Sequence, residues 1–122
     1  MKFIGTLEVR VEDEGKYRIL LKPLAFISVN IGDVISVPEG YRTDYASVPR
    51  ILWSILPPTG RYTKAAVIHD YLYEYGECTR EEADFVFLEA MEDLGVSYLV
   101  RHSMWLGVRV GGWVGWNKYR KV

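Results

Sequence analysis

One histidine and two carboxylates have the spacing that general acid–base chemistry requires. His69 and Asp70 are adjacent in the apolar and aromatic segment 65–73. Asp84 follows in a second segment with helical periodicity, where it interrupts an apolar stripe that includes Phe87. If the two segments pack as a hairpin, His69 and Asp84 face each other. A carboxylate opposite a histidine fixes the tautomer of the ring and stabilises the imidazolium, which is what proton abstraction needs.

The same residues also have a purely structural interpretation. A hydrogen bond between His69 and Asp84 would satisfy two polar groups between packed helices without any chemistry. Asp44 and Arg50 likewise have a structural and a functional interpretation. In one interpretation Asp44 caps a turn and the stem of Arg50 packs on the fold. In the other, Asp44 joins His69 and Asp70 at a site. The sequence favours the structural interpretation.

Helix boundary signals place His69 and Asp84 on consecutive helices. Thr63 is a candidate N-cap for the first helix, and Gly76 stands where a left-handed residue would end it. The second helix begins at a capping box, in which the side chains of Thr79 and Glu82 bond each other's backbone N–H groups. The connection is so short that we expect an antiparallel helical hairpin.

Composition limits the class of protein. The chain has 122 residues, of which 49% are hydrophobic and 25% charged, and this predicts one globular domain over 1–122. The formal net charge of -1 argues against a general nucleic-acid-binding protein. A single cysteine, Cys78, excludes an internal disulfide and a cysteine-based zinc site. The first residues lack the apolar core of a signal peptide, so we expect none.

The pattern along the chain predicts an α+β fold. Residues 1–37 alternate apolar and polar side chains between charged or glycine-containing turns, which is typical of the strands of a small antiparallel sheet. Residues 38–62 indicate a turn and a short helix, and residues 63–122 indicate three helices. We therefore expect the sheet to pack with the helical hairpin and with a C-terminal helix.

The C-terminal helix has the composition of a contact surface. Glycines recur every fourth residue and tryptophans lie between them, in a stretch that is too short and too interrupted for a membrane span. Such glycines let another backbone approach closely, within the fold or in a homo-oligomer, and the tryptophans favour a partner surface. The candidate partner-contact residues are Trp105, Gly111, Trp113 and Trp116.

Several motifs taken together resemble one family. They are VPEGYRTDYASVPR at 37–50, PPTG at 57–60, AAVIHDYLY at 65–73 and Ala-Asp at 83–84. In this order they look like a family of small phage and prophage proteins catalogued only as a domain of unknown function. The resemblance implies a phage origin, and with it the host cytoplasm or the virion as the location, but it implies no activity.

A second, local resemblance concerns the helix pair alone. His-Asp-x-x-Tyr at 69–73, followed by Asp84, is similar to the active-site helices of calcium-dependent phospholipases of the secreted and parvovirus capsid type. It implies that His69 is the general base, that Asp70 holds calcium and that Asp84 orients His69 with support from Tyr73. Calcium would polarise the ester carbonyl. The disulfides of the secreted enzymes have no counterpart here, and Pro57-Pro58-Thr59-Gly60 stands in place of their glycine-rich calcium loop.

Two hypotheses about function follow. The first is a phage-encoded hydrolase with a His69–Asp84 dyad, possible calcium assistance and a lipid or cell-envelope substrate. It implies contact with a membrane surface only if the substrate is lipid. The second is a non-enzymatic virion, tail or assembly protein, whose C-terminal helix contacts other phage proteins or a second copy of the chain.

Overall fold

The computed structural model describes residues 2–12, 14, 17–44 and 62–120. Within these residues, short strands precede the helices. The strands are β1 (Phe3–Ile4), β2 (Val9–Glu12), β3 (Tyr17–Leu20), β4 (Leu24–Ser28), β5 (Asp33–Val37) and β6 (Arg42–Thr43). The helices are α1 (Thr63–Tyr75), α2 (Arg80–Asp93), α3 (Tyr98–Gly111) and α4 (Trp113–Arg120). The predicted α+β class is confirmed.

The strands form two antiparallel sheets instead of the one that the sequence predicted. One sheet has the order β1-β4-β5 and the other the order β2-β3-β6. The predicted strand region 1–37 begins with two short strands, and not with one strand from Phe3 to Val11, because Gly5 has a left-handed φ of 94°. A Cβ at Gly5 would also lie 3.1 Å from the carbonyl oxygen of Pro23. Strand β6 lies in the region predicted as turn and short helix, whose remaining residues 45–61 lie outside the described part of the chain.

The helical hairpin lies between the first sheet and the C-terminal helices. Helix α1 contacts β5 and helix α2 contacts β4, while α3 packs on α2 and α4 packs on α1. Strand β4 shows the alternation expected of a strand with one covered face, since Leu24 and Phe26 are buried and Ile27 is exposed. In α1, every residue from Ala65 to His69 is buried, as a helix enclosed on several sides requires.

The helix boundaries confirm one predicted cap and correct two others. The capping box of Thr79 and Glu82 is present at the start of α2. Thr63 is not a cap, because α1 begins at Thr63 and the carbonyl of Tyr62 already accepts the backbone N–H of Ala66 at 2.9 Å. Gly76 ends α1 in an extended conformation, with φ -68° and ψ 144°, and not in a left-handed one. Its lack of a side chain is needed because a Cβ would lie 2.5 Å from the Leu72 carbonyl oxygen.

The predicted third helix is divided into α3 and α4 at Gly112. Backbone hydrogen bonds still bridge the division, from Gly112 N–H to Val108 O at 2.8 Å and from Trp116 N–H to Gly112 O at 3.0 Å. The axis therefore continues in helical fashion through Gly112, whose φ is -69° and ψ is -17°. No helix within the described residues has the length and apolar composition needed to cross a membrane.

Glu89 on α2 attaches the hairpin to the first sheet. Its nearly buried carboxylate accepts hydrogen bonds from Lys2 Nζ at 2.9 Å, Ser28 Oγ at 2.7 Å, Val29 N at 2.8 Å and Asn30 Nδ2 at 3.0 Å. Burial raises the pKa of Glu89, but these donors outweigh burial and leave the pKa below its usual value. The charged form of Glu89 therefore stabilises the fold at neutral pH.

We predict that Glu89→Gln lowers the free energy of unfolding at pH 7 by roughly 1 to 3 kcal/mol, since it removes charge-assisted hydrogen bonds. Because the native pKa of Glu89 is depressed, its contribution is complete above the unfolded-state pKa and is lost as the pH falls through the folded-state pKa. Urea unfolding at several pH values should therefore show a smaller acid-induced loss of stability in the variant. Glu92→Gln, at an exposed position of the same helix, is the control. Equal pH dependence in wild type and Glu89→Gln would contradict the prediction.

Candidate functional site

His69 and Asp84 meet where α1 packs on α2. The Nε2 atom of His69 lies 2.7 Å from Oδ1 of Asp84, and the two residues are 15 positions apart in the chain. Both side chains are buried, with exposed fractions of 1% and 0%. The histidine ring packs 4.2 Å from the ring of Tyr73 and 4.7 Å from that of Phe87. The contact predicted from the hairpin is therefore formed.

Asp84 also accepts hydrogen bonds from two further side chains. The hydroxyl of Tyr73 donates to Oδ1 at 2.6 Å, and Nη1 of Arg109 on α3 donates to Oδ2 at 2.8 Å. Nη1 of Arg80 lies 3.6 Å from the same Oδ2. Burial raises the pKa of Asp84. The opposite effect is larger, and it comes from the hydrogen bonds that His69, Tyr73 and Arg109 donate and from the charge of the imidazolium form. The pKa of Asp84 therefore lies below its usual value.

The ionisation of Asp84 determines the roles of its neighbours. An ionised carboxylate only accepts hydrogen bonds, so the hydrogen-bond network assigns the proton of His69 to Nε2. In the neutral ring, Nδ1 is then the basic nitrogen. Burial, together with the hydrogen bond and the charge of Asp84, raises the pKa of the Tyr73 phenol, which keeps it protonated and able to donate. In catalytic triads, too, a carboxylate bonds one nitrogen of the histidine and the other nitrogen acts as the base.

A cavity of about 540 Å³ reaches His69. Helix α1 contributes His69, Asp70, Tyr73 and Glu74, and the strand side contributes Tyr17, Tyr41, Arg42, Thr43 and Asp44. Helices α3 and α4 contribute Gly107, Val108, Gly111, Gly112, Gly115, Lys118 and Tyr119. The volume of the cavity is that of a small-molecule site. Four of these residues are glycines, so part of the cavity lining is backbone without side chains.

Three carboxylates line this cavity together with the cations of Arg42 and Lys118. The carboxylates belong to Asp44, Asp70 and Glu74. The pKa of Tyr119 is raised by burial and further by the negative charges of Glu74, Asp70 and Asp44. The predicted position of Asp44 beside His69 and Asp70 is consistent with this arrangement, since all three line the cavity.

Asp70, the predicted calcium ligand, is half-buried at the cavity wall. One of its oxygens, Oδ2, accepts a hydrogen bond from Thr43 Oγ1 at 2.6 Å. Over residues 2–12, 14, 17–44 and 62–120, no group of three or more His, Cys, Asp or Glu side chains is placed to hold a metal ion. The loop 57–60, whose carbonyls were proposed as further ligands, lies outside the described residues, as does Arg50. The calcium site and the role of Arg50 stay predictions.

The four predicted partner-contact residues have different environments. Trp113 and Gly111 are exposed on the surface of the C-terminal helices. Trp105 packs against Phe85, with ring centroids 5.7 Å apart, and Trp116 packs edge-on against Tyr73 at 5.3 Å. The rings of Trp105 and Trp116 therefore contribute to packing within the fold.

The sequence analysis missed Arg109, Arg80 and Gly112. Arg109 is the one charged residue between Met104 and Asn117. A lone charged residue in an apolar helix indicates a buried partner of opposite charge. Arg80 adds a tie to α3, because its Nη1 and Nη2 donate to the carbonyls of Val108 and Arg109 at 2.9 and 3.0 Å. A Cβ on Gly112 would overlap the Tyr73 hydroxyl and come within 3.0 Å of Arg80 Nη1.

Comparison with known proteins identifies relatives without an assigned activity. A family described as "Protein of unknown function (DUF1353)" matches residues 19–108. The "Uncharacterized protein y4jT" of Sinorhizobium fredii (strain NBRC 101917 / NGR234) is 38% identical over 88 residues, which cover 70% of this chain. The matched region is only 26% of that protein. No solved structure matches.

We predict that Gly112→Ala destabilises the fold by roughly 1 to 3 kcal/mol, because the new methyl group would overlap the backbone carbonyl of Val108 and a tyrosine hydroxyl held by Asp84. Gly111→Ala is the matched control, since nothing lies within 4 Å of a Cβ at that position. We expect it to leave stability unchanged or raise it by up to about 1 kcal/mol. Thermal and urea unfolding measure both effects. Equal effects of the two substitutions would show that the approach of Gly112 to Tyr73 is unimportant.

Proposed function

We propose that this chain, which belongs to the protein family of unknown function DUF1353, is a hydrolase in which His69 is the general base. The observation that carries the proposal is the 2.7 Å contact between His69 and the buried, ionised Asp84, with His69 lining a cavity. Carboxylate, histidine and cavity occur together as general-base hydrolysis requires.

The proposed chemistry assigns each group one role. A water molecule in the cavity gives its proton to the imidazole ring of His69 as the oxygen of that water attacks the substrate carbonyl carbon. Asp84, hydrogen-bonded to Nε2, stabilises the imidazolium that forms. The imidazolium then returns the proton to the leaving group as the carbon–oxygen bond breaks. Tyr73 and Arg109 are positioning residues, because they hold the carboxylate and not the substrate.

We place the substrate in the lipid or cell-envelope class. The cavity accommodates a group the size of a lipid headgroup. The motifs of the chain resemble those of phage and prophage proteins, and a host lipid or cell envelope is a substrate that a phage protein meets. Asp70 offers an oxygen ligand of the type that calcium prefers, so we include calcium as a candidate cofactor that polarises the carbonyl. The phage origin and the calcium requirement are parts of the same proposal.

Substitution of His69 tests the proposal. We expect His69→Gln to lower hydrolysis by at least about a hundredfold, the usual scale of general-base catalysis, with the fold retained by circular dichroism. His102→Gln is the control, because His102 is a histidine on α3 that bonds the carbonyl of Tyr98 at 2.9 Å, away from the cavity. Substrates are phospholipid vesicles and peptidoglycan, each with calcium and with a chelator.

Two further variants separate catalysis from structure. Asp84→Asn should lower the rate and shift its pH profile, because the imidazolium loses its counter-charge. Asp70→Asn leaves the buried pair intact and should abolish only stimulation by calcium. Wild-type rates in His69→Gln, or no hydrolysis of either substrate by the wild type, would exclude the hydrolase.

A second candidate function is a virion, tail or assembly component without catalytic activity. The observation that favours it is the exposed apolar surface of α3 and α4, on which Trp113 is 56% exposed. Large exposed apolar surfaces mark interaction sites. In this case the His69–Asp84 pair is a buried polar network that specifies the packing of the helices.

The second candidate predicts that the wild type self-associates or joins a phage particle through this surface. Trp113→Ala should then release monomers, as measured by light scattering, because a buried tryptophan is a typical interface anchor. Val11→Ala is the control, since Val11 is 57% exposed but lies on β2. A monomeric wild type that Trp113→Ala leaves unchanged would count against self-association.

A further inference from the structure

Strand β5 is an edge of the first sheet. The order of that sheet is β1-β4-β5, and within the described residues no strand pairs with the outer side of β5. The N–H of Ile27 in β4 donates to the carbonyl of Lys2 at 2.9 Å, so Ile27 turns its backbone groups towards β1 and away from β5. Residues paired across an antiparallel ladder either bond each other or both turn away. Val34, the partner of Ile27 in β5, therefore turns its backbone groups outward, and so does Ser36 two residues later.

The outer edge of β5 offers backbone hydrogen bonds at Ser36. At the neighbouring position the edge is blunted, because Oδ1 of Asp33 accepts the N–H of Val34 at 2.8 Å. The carbonyl of Val34 and both backbone groups of Ser36 have no hydrogen-bond partner among the residues that the structure describes. Outward N–H and C=O groups of this kind are the template on which another extended chain can pair.

A second cavity, of about 500 Å³, lies along this edge. Residues 33–36 line it and no residue of β4 does, so it lies beside β5 and not over the face of the sheet. Its other wall is the region where α1 ends and α2 begins, with Tyr71, Leu72, Glu77, Cys78 and Glu82. It shares no lining residue with the cavity that reaches His69. We call this space between the edge of β5 and the helical hairpin the edge groove.

The apolar part of the edge groove is fixed by packing. Leu72 and Ile35 are buried in the core. The ring of Tyr71 packs edge-on against Tyr41, with ring centroids 5.3 Å apart, and against Tyr75 at 5.2 Å. A groove whose walls are already held in place binds an extended chain without the cost of ordering those walls.

The edge groove also carries negative charge. Asp33, Glu77 and Glu82 line it and are exposed, and its described lining contains no basic residue. Arg80, which lies between two of these positions in the sequence, donates to backbone carbonyls of α3 and is therefore directed away from the groove. In the described part of the chain no three His, Cys, Asp or Glu side chains are placed to hold a metal ion. The complement of these carboxylates is a set of basic side chains.

A second copy of the chain does not fit the edge groove. Two copies paired through β5 would bring the carboxylates of both grooves together, and like charges placed opposite each other are destabilising. The charge of the groove therefore favours a segment of a different protein.

We propose that the edge groove binds an extended peptide segment of another protein that carries basic and apolar side chains. The backbone of the segment would pair with Ser36 and with the carbonyl of Val34, and would extend the first sheet by one strand. Alternate side chains of an added strand face the helices. There an apolar side chain would contact Tyr71, and a basic one would pair with Glu77 or Glu82. This inference does not depend on hydrolysis, since it concerns a different cavity.

Fluorescence polarisation with a labelled synthetic peptide tests the charge of the groove. The peptide repeats lysine, threonine, valine and threonine in that order, which places lysine and valine alternately on one face of a strand. We expect saturable binding that high salt weakens. Glu77→Lys should bind the peptide at least about tenfold more weakly, because it replaces an attraction by a repulsion. Glu92→Lys is the matched control, since Glu92 is an exposed acid that does not line the groove, and it should bind like the wild type.

Pairing with the edge of β5 is tested separately. Ser36→Pro removes the outward N–H at a position where an edge strand tolerates proline, and it should abolish binding, whereas Ser36→Ala should bind like the wild type. A peptide copy with every backbone amide N-methylated keeps the lysines and lacks all N–H donors, so it should bind at least about tenfold more weakly. It gives this information even if Ser36→Pro proves unfolded by circular dichroism. Amide hydrogen exchange at Ser36 should slow when the unmodified peptide is bound.

Several results would overturn the proposal. They are absence of binding, equal binding of a peptide with glutamate in place of lysine, equal binding of the N-methylated copy, and an unaffected Glu77→Lys. Unchanged hydrogen exchange at Ser36 in the complex would likewise show that the peptide does not extend the sheet.

Discussion

The packing of the helices depends on one ionised carboxylate that has no contact with water. Removing a charge from water costs several kcal/mol even after the protein relaxes, so a charged Asp84 requires donors on every accessible lone pair. Those donors are His69 and Tyr73 on α1 and Arg109 on α3. The guanidinium of Arg80 on α2 itself adds an ion pair at 3.6 Å. A register shift of any of these helices would leave a buried charge uncompensated. The carboxylate therefore specifies the arrangement of the helices as well as the orientation of His69.

A second carboxylate on α2, that of Glu89, attaches this helix to the first sheet. Asp84 and Glu89 are five residues apart, so they point to well separated sides of the helix. Glu89 is bonded to Lys2 and to residues at the end of β4, while Asp84 is bonded to the other helices. Both pKa values are depressed, so both attachments weaken as the pH falls through them. Acid therefore loosens α2 both from the sheet and from α1.

Local sequence rules predicted the parts of the fold that are determined locally. The capping box of α2 and the alternation of β4 are set by neighbouring residues, and both are present. The facing of His69 and Asp84 followed from helical spacing and a short connection. The α+β class followed from the order of strand and helix patterns. These predictions succeeded because each needed only the periodicity of one or two elements.

The features that the sequence did not predict depend on contacts between distant elements. The regular spacing of Gly107, Gly111 and Gly115 predicted close packing at these positions. Other helices approach most closely at Gly112, where the side chains of Tyr73 and Arg80 contact the helix. Arg109 interrupted an apolar run, and only the position of Asp84 explains it. The predicted strand region begins with two short strands because Gly5 turns beside Pro23. In each case the determining partner is far away in the chain.

The C-terminal helices connect the buried network with the surface. Arg109 bonds the buried Asp84, whereas Gly107 and Gly111, about half a turn away around α3, line the cavity that reaches His69. Leu106 and Val110 lie between these two directions and are exposed. One helix therefore carries a partner of the buried carboxylate on one side and part of the cavity lining on the other, so a rotation of α3 about its axis would disturb both.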